Sequence, residues 1–224
     1  MVEVAIDSAS DVAGVALTSE GELVSELTWK SRQNQSRELL PALDWLLKRG
    51  NFGRQDITAI SVCIGPGSYA GLRVGLSAAK ALAYGLGARL AGVGRLAADA
   101  LPFAIEEGRR VIAVHAAGRA ELAFAAYARH EGRLTEVFPP RLARLEQLAL
   151  EVKSGDIVCG ALDEGAVRTL RESGAAWAEP HPARVLAVAA LGWQRLRSGD
   201  IDSAESLVPL YLREPAIGPQ PSAR

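Results

Sequence analysis

Scarcity narrows the possibilities first. Only two cysteines, Cys63 and Cys159, occur in 224 residues; each sits in an apolar run and no Cys-x-x-Cys pair exists. A disulfide framework and a cysteine-based zinc or redox site are thereby excluded, and two buried thiols are expected. The three histidines, His115, His130 and His181, never fall at the i, i+3 or i, i+4 spacing that sets two imidazoles on one helical face, so no metal site is predicted. An excess of one charge is missing too: 25 basic residues against 26 acidic leave a net charge of -1. A chain that grips nucleic acid by itself carries a basic surplus, so any such contact here is local. No long hydrophobic run is present either. The charge-free stretch 57–72 is broken by Gly65-Pro66-Gly67 and is shorter than the roughly 20 apolar residues that span a bilayer. The opening Met1-Val2-Glu3-Val4-Ala5-Ile6-Asp7 shows no basic leader ahead of an apolar segment, so no signal peptide or lipid anchor is read and a cytoplasmic protein is expected.

What is present is an ordinary globular composition. Hydrophobic residues make up 49% and charged residues 23%, with a mean hydropathy of +0.09, which excludes wholesale disorder. At this length, one large domain or two fused lobes is the natural organisation. Only four of the 25 basic residues are lysine; arginine bias of this kind reads as codon usage, since hyperthermophiles enrich both Lys and Glu.

Along the chain, β-branched and apolar runs predict strands at 2–6, 12–17 and 23–29, the simplest pairing being an antiparallel meander. Leu39, Leu40, Leu43, Leu46 and Leu47 then recur at helical spacing, predicting a helix over 36–49 that carries Pro41 and is capped by Gly50. The run 57–64 is almost continuously apolar, the pattern of a strand covered on both faces, and it leads through Gly65-Pro66-Gly67-Ser68 into another helix. A strand at 89–93 and a helix at 95–107 complete a first lobe. The order then restarts: strands at 111–115, 121–128 and 133–137, a helix at 145–153, a strand at 157–159, and helices at 164–173 and 182–197. This duplication predicts two related α/β lobes, 1–105 and 106–215, followed by a flexible tail, 216–224.

Three stretches carry the candidate chemistry. In Gly65-Pro-Gly-Ser-Tyr-Ala-Gly, Gly65 and Gly67 permit unusual backbone or close approach, and Ser68 suits a helix N-cap. The stretch is a tight turn or an anion cradle at a helix start; without a lysine after the glycines it is not a P-loop. It also lacks Gly-x-Ser-x-Gly spacing, and Ser68 has no assignable base, so a hydrolase triad is excluded. Asp7-Ser8-Ala9-Ser10-Asp11 falls where the first strand turns back, and either makes ordinary turn bonds or faces a phosphate, with Asp7 holding a metal or a water. Finally, Gly71, Gly75, Ala79 and Ala83 recur every four residues, flanked by Val74, Ala78, Ala81 and Leu82, forming a smooth face for close packing inside the protein or against a partner.

The blocks Ile6-Asp-Ser-Ala-Ser10, Gly14-Val-Ala-Leu17, Ser36-Arg-Glu-Leu-Leu-Pro41, 65–76 and Pro209-Leu-Tyr-Leu-Arg213, in this order, resemble the TsaB (YeaZ) family. The resemblance implies an α/β, two-lobed actin-like/Hsp70-like/sugar-kinase fold and a role in forming N6-threonylcarbamoyladenosine at position 37 of tRNA. It implies a noncatalytic subunit with no catalytic residue, metal or cofactor of its own. Such a subunit pairs with the catalytic paralogue TsaD, supports recruitment of the ATPase TsaE with ATP, forms a homodimer when alone, and meets tRNA mainly through the complex. The His-x-x-x-His pair by which TsaD binds metal is missing from this sequence. The implied pairing surface is the first-lobe helices, with Leu39, Leu43, Gly71, Val74, Gly75, Ala78, Ala79 and Leu82 as interface residues. Asp7, Ser8, Ser10, Gly65, Gly67 and Ser68 would be vestigial phosphate loops. The chain departs from the family where Asn34-Gln35-Ser36 replaces a frequent histidine, and where Ala116-Ala117-Gly118-Arg119 replaces an aspartate of the second hairpin, which argues against nucleotide chemistry in the cleft. Arg32, Arg37 and Arg73 form either a solvated face or part of a composite tRNA surface. The alternative reading is an actin-like-fold ATPase or phosphotransferase acting through the interlobe cleft.

Overall fold

The computed structural model describes residues 1–31, 34–118, 120–181 and 183–212. Arg32, Arg119, Arg213 and the expected tail 216–224 lie outside the described residues.

The predicted meander forms: β1 (Val2–Asp7), β2 (Val12–Ser19) and β3 (Glu22–Lys30) pair antiparallel. β4 (Ile57–Gly65) and β5 (Arg89–Gly94) add parallel on the other side of β1, giving the order β3-β2-β1-β4-β5. The second sheet repeats this plan. β6 (Arg110–Gly118), β7 (Glu121–His130) and β8 (Arg133–Arg144) are antiparallel, and β9 (Ile157–Ala161) and β10 (Ala176–Ala178) run parallel to β6, in the order β10-β9-β6-β7-β8. β10, three residues long, was not expected; it takes the place in its sheet that β5 takes in the first. β8 reaches Arg144, well past the expected 137, through Pro139 and Pro140. An edge strand tolerates proline because half of its amides face away from the ladder.

Helices α1 (Gln35–Arg49) and α2 (Tyr69–Leu86) cover one face of the first sheet, burying Leu39, Leu43, Leu46, Leu47, Leu76 and Ala79 against Val4, Ile6, Val15, Leu17, Ile60 and Val62. The start of α1 is tied to β3 through Glu38, whose Oε2 accepts from Trp29 Nε1 at 2.7 Å and Ser31 Oγ at 2.6 Å. At its end Gly50 keeps right-handed helical geometry, and the left-handed residue is Asn51, with φ 57°. Asn51 N and Phe52 N then bond back to Lys48 O and Leu47 O, the arrangement of a Schellman stop.

The opposite face carries α3 (Arg95–Ala100) and α6 (Val185–Arg197). The helix expected over 95–107 stops at Ala100 and tightens into a 3-10 turn over Leu101–Phe103, because Pro102 has no N–H to return to the preceding turn. α3 also packs on β6 and β7, through Leu96 and Ala100 against Val111, Ala113, Ala125 and Tyr127. It therefore lies between the sheets. α4 (Leu145–Glu151) and α5 (Glu164–Glu172) cover the outer face of the second sheet, around Leu148, Val158 and Leu170. α6 falls within the expected second lobe by sequence, yet Val185, Val188 and Ala189 pack on Ala5, Ala16 and Cys63 of the first sheet. The layers run α1/α2, first sheet, α3 with α6, second sheet, α4/α5. The strand order and its repetition match the duplicated lobes that the sequence predicts.

Candidate functional site

The β1–β2 turn and the turn after β4, both singled out in the sequence, lie side by side. Asp7 Oδ1 accepts from Ala9 N at 2.9 Å, and Ser10 Oγ donates to Val12 O at 2.9 Å, so the first turn makes its own Asx-type bonds. Ser68 N donates to Ala9 O at 2.8 Å, joining the two turns. Ser68 Oγ accepts from Gly71 N at 3.3 Å and caps α2 as expected, while Gly65 adopts φ +104°, a conformation suited to glycine. Ser8 Oγ donates to Gly71 O at 2.8 Å. The polar atoms of Ser8 and Ser68 thus point into the chain's own backbone.

The smooth stripe of α2 is explained by the same contact. A Cβ on Gly71 would stand 2.1 Å from Ser8 O, and one on Gly75 would stand 2.2 Å from Ser8 Oγ. Gly71, Gly75 and Ala79 therefore bring α2 down onto the β1–β2 turn and the sheet. Leu39 and Leu43 of α1 are likewise buried, 2% and 5% exposed. Five of the eight expected interface residues, Leu39, Leu43, Gly71, Gly75 and Ala79, are internal packing residues, whereas Val74, Ala78 and Leu82 are only partly covered. Gly75→Leu, a clean probe of a surface stripe, is here a folding mutation.

The open face of the same two helices is the next ridge outward. Ser36, Leu39, Leu40, Arg73, Val74, Ser77 and Ala78 line a groove of about 360 Å³ between α1 and α2. Leu40 and Trp45 are each about half exposed, and Tyr84 is 88% exposed. At the N-terminal end of α2, Tyr69 stacks on Tyr211 with ring centroids 5.2 Å apart, and Arg73 lies over the Tyr69 ring at 5.2 Å. Sequence reasoning passed over Trp45 and Tyr84. The available signal was that these large apolar residues stand outside the buried 3.6-residue stripe of their helices.

The second feature missed in the sequence is a buried charge cluster between the sheets. Arg184 Nη1 donates to Asp7 Oδ2 at 2.7 Å and Arg184 Nε to Asp99 Oδ1 at 2.6 Å. Asp7 is separated from Arg184 by 177 residues, so no local pattern reveals the pair. Burial opposes the charge of Arg184, but the two carboxylates outweigh it and push its pKa up. His115, on β6, is pushed down to about 3, by burial first and then by Arg95 and Arg184, so it is neutral. Burial pushes the Cys63 and Cys159 thiols up, reinforced by Asp7 and Asp99 respectively, so neither is a thiolate nucleophile at neutral pH. Among the described residues no group of three or more His, Cys, Asp or Glu side chains is arranged to hold a metal ion. A cavity of about 830 Å³ beside Arg168, Arg171 and Trp177 lies in the second lobe, and none of the candidate site residues read from the sequence lines it.

Comparison with known proteins places this geometry. The model of the family "TsaD: tRNA N6-adenosine threonylcarbamoyltransferase" matches residues 29–156, more than half of the chain. The tRNA threonylcarbamoyladenosine biosynthesis protein TsaB of Bacillus subtilis is 35% identical over 96 residues, 43% of this chain and 42% of that protein. TsaB of Escherichia coli is 32% identical over 156 residues, 66% of this chain and 67% of that protein. The match therefore spans about half the length of these curated relatives. YeaZ from Pseudomonas aeruginosa has the same fold, with a TM-score of 0.80 over 94% of this chain and 100% of its own at 23% identity. The wider two-lobed actin-like and sugar-kinase architecture reaches a ROK hexokinase from Thermus thermophilus, 10% identical with a TM-score of 0.52 over 89% of this chain and 100% of that one. With the family model matched over more than half of this chain and the Escherichia coli protein, 32% identical, covered over two thirds of its length, the chain belongs to the TsaB (YeaZ) family.

Proposed function

We propose that this protein is a noncatalytic subunit in the formation of threonylcarbamoyladenosine at position 37 of tRNA, and that it pairs with a TsaD-type transferase through the outer face of α1 and α2. The observation that carries the pairing is the open groove lined by half-exposed Leu40 with Val74 and Ala78, on helices whose inner faces are buried in the core and which also expose Trp45 and Tyr84. A surface of exposed aromatic and aliphatic residues of this kind is what a partner buries. A TsaE-type ATPase with ATP joins the assembled complex, and the isolated chain pairs with itself through the same face. The near-neutral charge supports a minor share in holding tRNA, with Arg37 and Arg73 on the paired edge. The setting is the cytoplasm; no helix among the described residues is long and apolar enough to cross a membrane. Engagement of both Asp7 oxygens supports a subunit role over an ATPase acting through the interlobe cleft.

The test is modification of unmodified tRNA by a TsaD-type transferase, a TsaE-type ATPase, threonylcarbamoyl-AMP and ATP, with and without this chain. Product should form only when it is present; equal product in its absence refutes the role. Ala78 lines the groove and meets only the margin of the core, so Ala78→Arg places a charge in the groove and should weaken capture of the transferase about tenfold or more, while the melting temperature stays within a few degrees. Unchanged capture by this folded variant would move the interface elsewhere.

A further inference from the structure

The charge cluster between the sheets closes on itself. Asp7 ends β1, Arg184 directly precedes α6, Asp99 and Arg95 stand on α3, and His115 lies on β6. All four oxygens of the two carboxylates are engaged. Asp7 Oδ1 accepts from Ala9 N at 2.9 Å and Oδ2 from Arg184 Nη1 at 2.7 Å; Asp99 Oδ1 accepts from Arg184 Nε at 2.6 Å and Oδ2 from Arg95 Nε at 3.3 Å. Arg95 Nη1 then reaches His115 Nε2 at 3.2 Å, and the neutral imidazole is an acceptor there, which places its proton on Nδ1. Ser10 Oγ stands 3.5 Å from Arg184 Nη1, and Cys159 Sγ donates to Asp99 O at 3.5 Å. Two guanidinium charges meet two carboxylate charges, with the carboxylates and Arg184 all 7% exposed or less.

We propose that Arg184 is a resident cation that latches the β1–β2 turn of the first sheet to the helix layer between the sheets and keeps the space around Asp7 filled. Its planar fork serves two carboxylates on different elements at once, so a single residue ties the β1–β2 turn of the first sheet to α3. Through Asp99 and Arg95 the tie continues to β6 of the second sheet. An external cation, or a ligand that needs a free carboxylate at Asp7, meets a site whose acceptors are already taken. Releasing either Arg184 bond leaves a buried carboxylate without its countercharge, so the β1–β2 turn and α3 come free of Arg184 in one opening. This latch is independent of the proposed role in tRNA modification.

Hydrogen exchange on the intact chain tests it without any substitution. By NMR, the Ala9 amide and the Nε–H groups of Arg184 and Arg95 should exchange through one common opening, their rates agreeing within about threefold after correction for intrinsic chemistry. An Ala9 amide exchanging more than about tenfold faster than the two guanidinium protons would mean separate openings and overturn the latch. Arg184→Lys supplies one compact ammonium in place of the fork. It should accelerate exchange at both Ala9 and Arg95 by about tenfold or more, with the outer strands β3 and β8 unaffected. Acceleration on one side alone, or none, also overturns the proposal; if the lysine variant does not fold, the wild-type rates decide.

Discussion

Glu3 shows how much one residue can hide inside a strand buried on both faces. It is fully buried on β1, and no cation among the described residues pairs with it; Thr18 Oγ1 donates to its Oε2 at 3.0 Å and Ser61 Oγ donates to its Oε1. A Cβ on Gly192 of α6 would stand 3.0 Å from Glu3 Oε1, so the helix backbone seals the carboxyl from above. Burial raises its pKa above the ordinary 4.5, and the two hydroxyl bonds only partly pull it back. The folded chain therefore holds this proton at a pH where the unfolded chain has released it. Its contribution to stability is greatest below about pH 4.5 and declines as pH rises through the folded value. Urea unfolding from pH 4.5 to 8 should show stability of the wild type falling relative to Glu3→Gln, which does not titrate; a constant difference between the two would mean that Glu3 is ionised throughout. Glu3→Leu should cost about 1–3 kcal/mol at any pH in this range, because the Ser61 and Thr18 hydroxyls lose their acceptor. The sequence gives no hint of this site: within the predicted strand 2–6, Glu3 looks like an ordinary polar residue, and its partners come from β2, β4 and α6.

Elements were legible wherever one periodicity ran long enough. The run 57–64 and the leucines of α1 locate β4 and α1 almost to the residue, since burial on one or both faces leaves a pattern that few other conformations satisfy. Legibility failed at β10, too short to carry a pattern, and at the end of α3, where Pro102 outweighs an apolar run that continues past it. At α2 the same small-residue stripe fitted two destinations, and the side chain that decides between them, Ser8, lies more than 60 residues away. The cap and the stripe should respond differently to substitution. Ser68→Ala removes one acceptor from the Gly71 amide at an exposed helix start and should cost about 1 kcal/mol. Gly75→Ala has the better intrinsic helix propensity, yet its methyl group would lie 2.2 Å from Ser8 Oγ, so it should destabilise by about 1–3 kcal/mol. Denaturant midpoints of the two variants check both. A stabilised Gly75→Ala would show that α2 has room above the turn and would restore the stripe as a surface.

On the scale of the whole molecule, five stacked layers leave the α1/α2 helices on the outside of the first lobe, across the first sheet from α3 and α6. Duplication was readable because two lobes of one topology repeat one element order. The crossing of α6 back to the first sheet was not, since a helix does not announce which of two sheets it will cover. The consequence for association is specific. A homodimer that buries the α1/α2 face is isologous, each copy using the same patch, so a chain engaged with its twin has no such patch left for a TsaD-type subunit. On the proposed pairing face, self-pairing and partner pairing are mutually exclusive, and the proposed homodimer would be a reservoir that the partner depletes by mass action. Sedimentation velocity with a labelled chain should show dimer converting to a one-to-one heterodimer as TsaD-type subunit is added, with no species containing two copies of this chain and one partner. Ala78→Arg should be monomeric alone and should lose the heterodimer in parallel, because one substitution fouls the groove in both assemblies. A stable trimer, or a variant that loses one pairing and keeps the other, would show that the two interfaces are different surfaces. In that case the exposed Tyr69–Tyr211 stack is the next patch to mutate, since it adjoins the groove through Arg73, which lies over the Tyr69 ring, but does not line the groove itself.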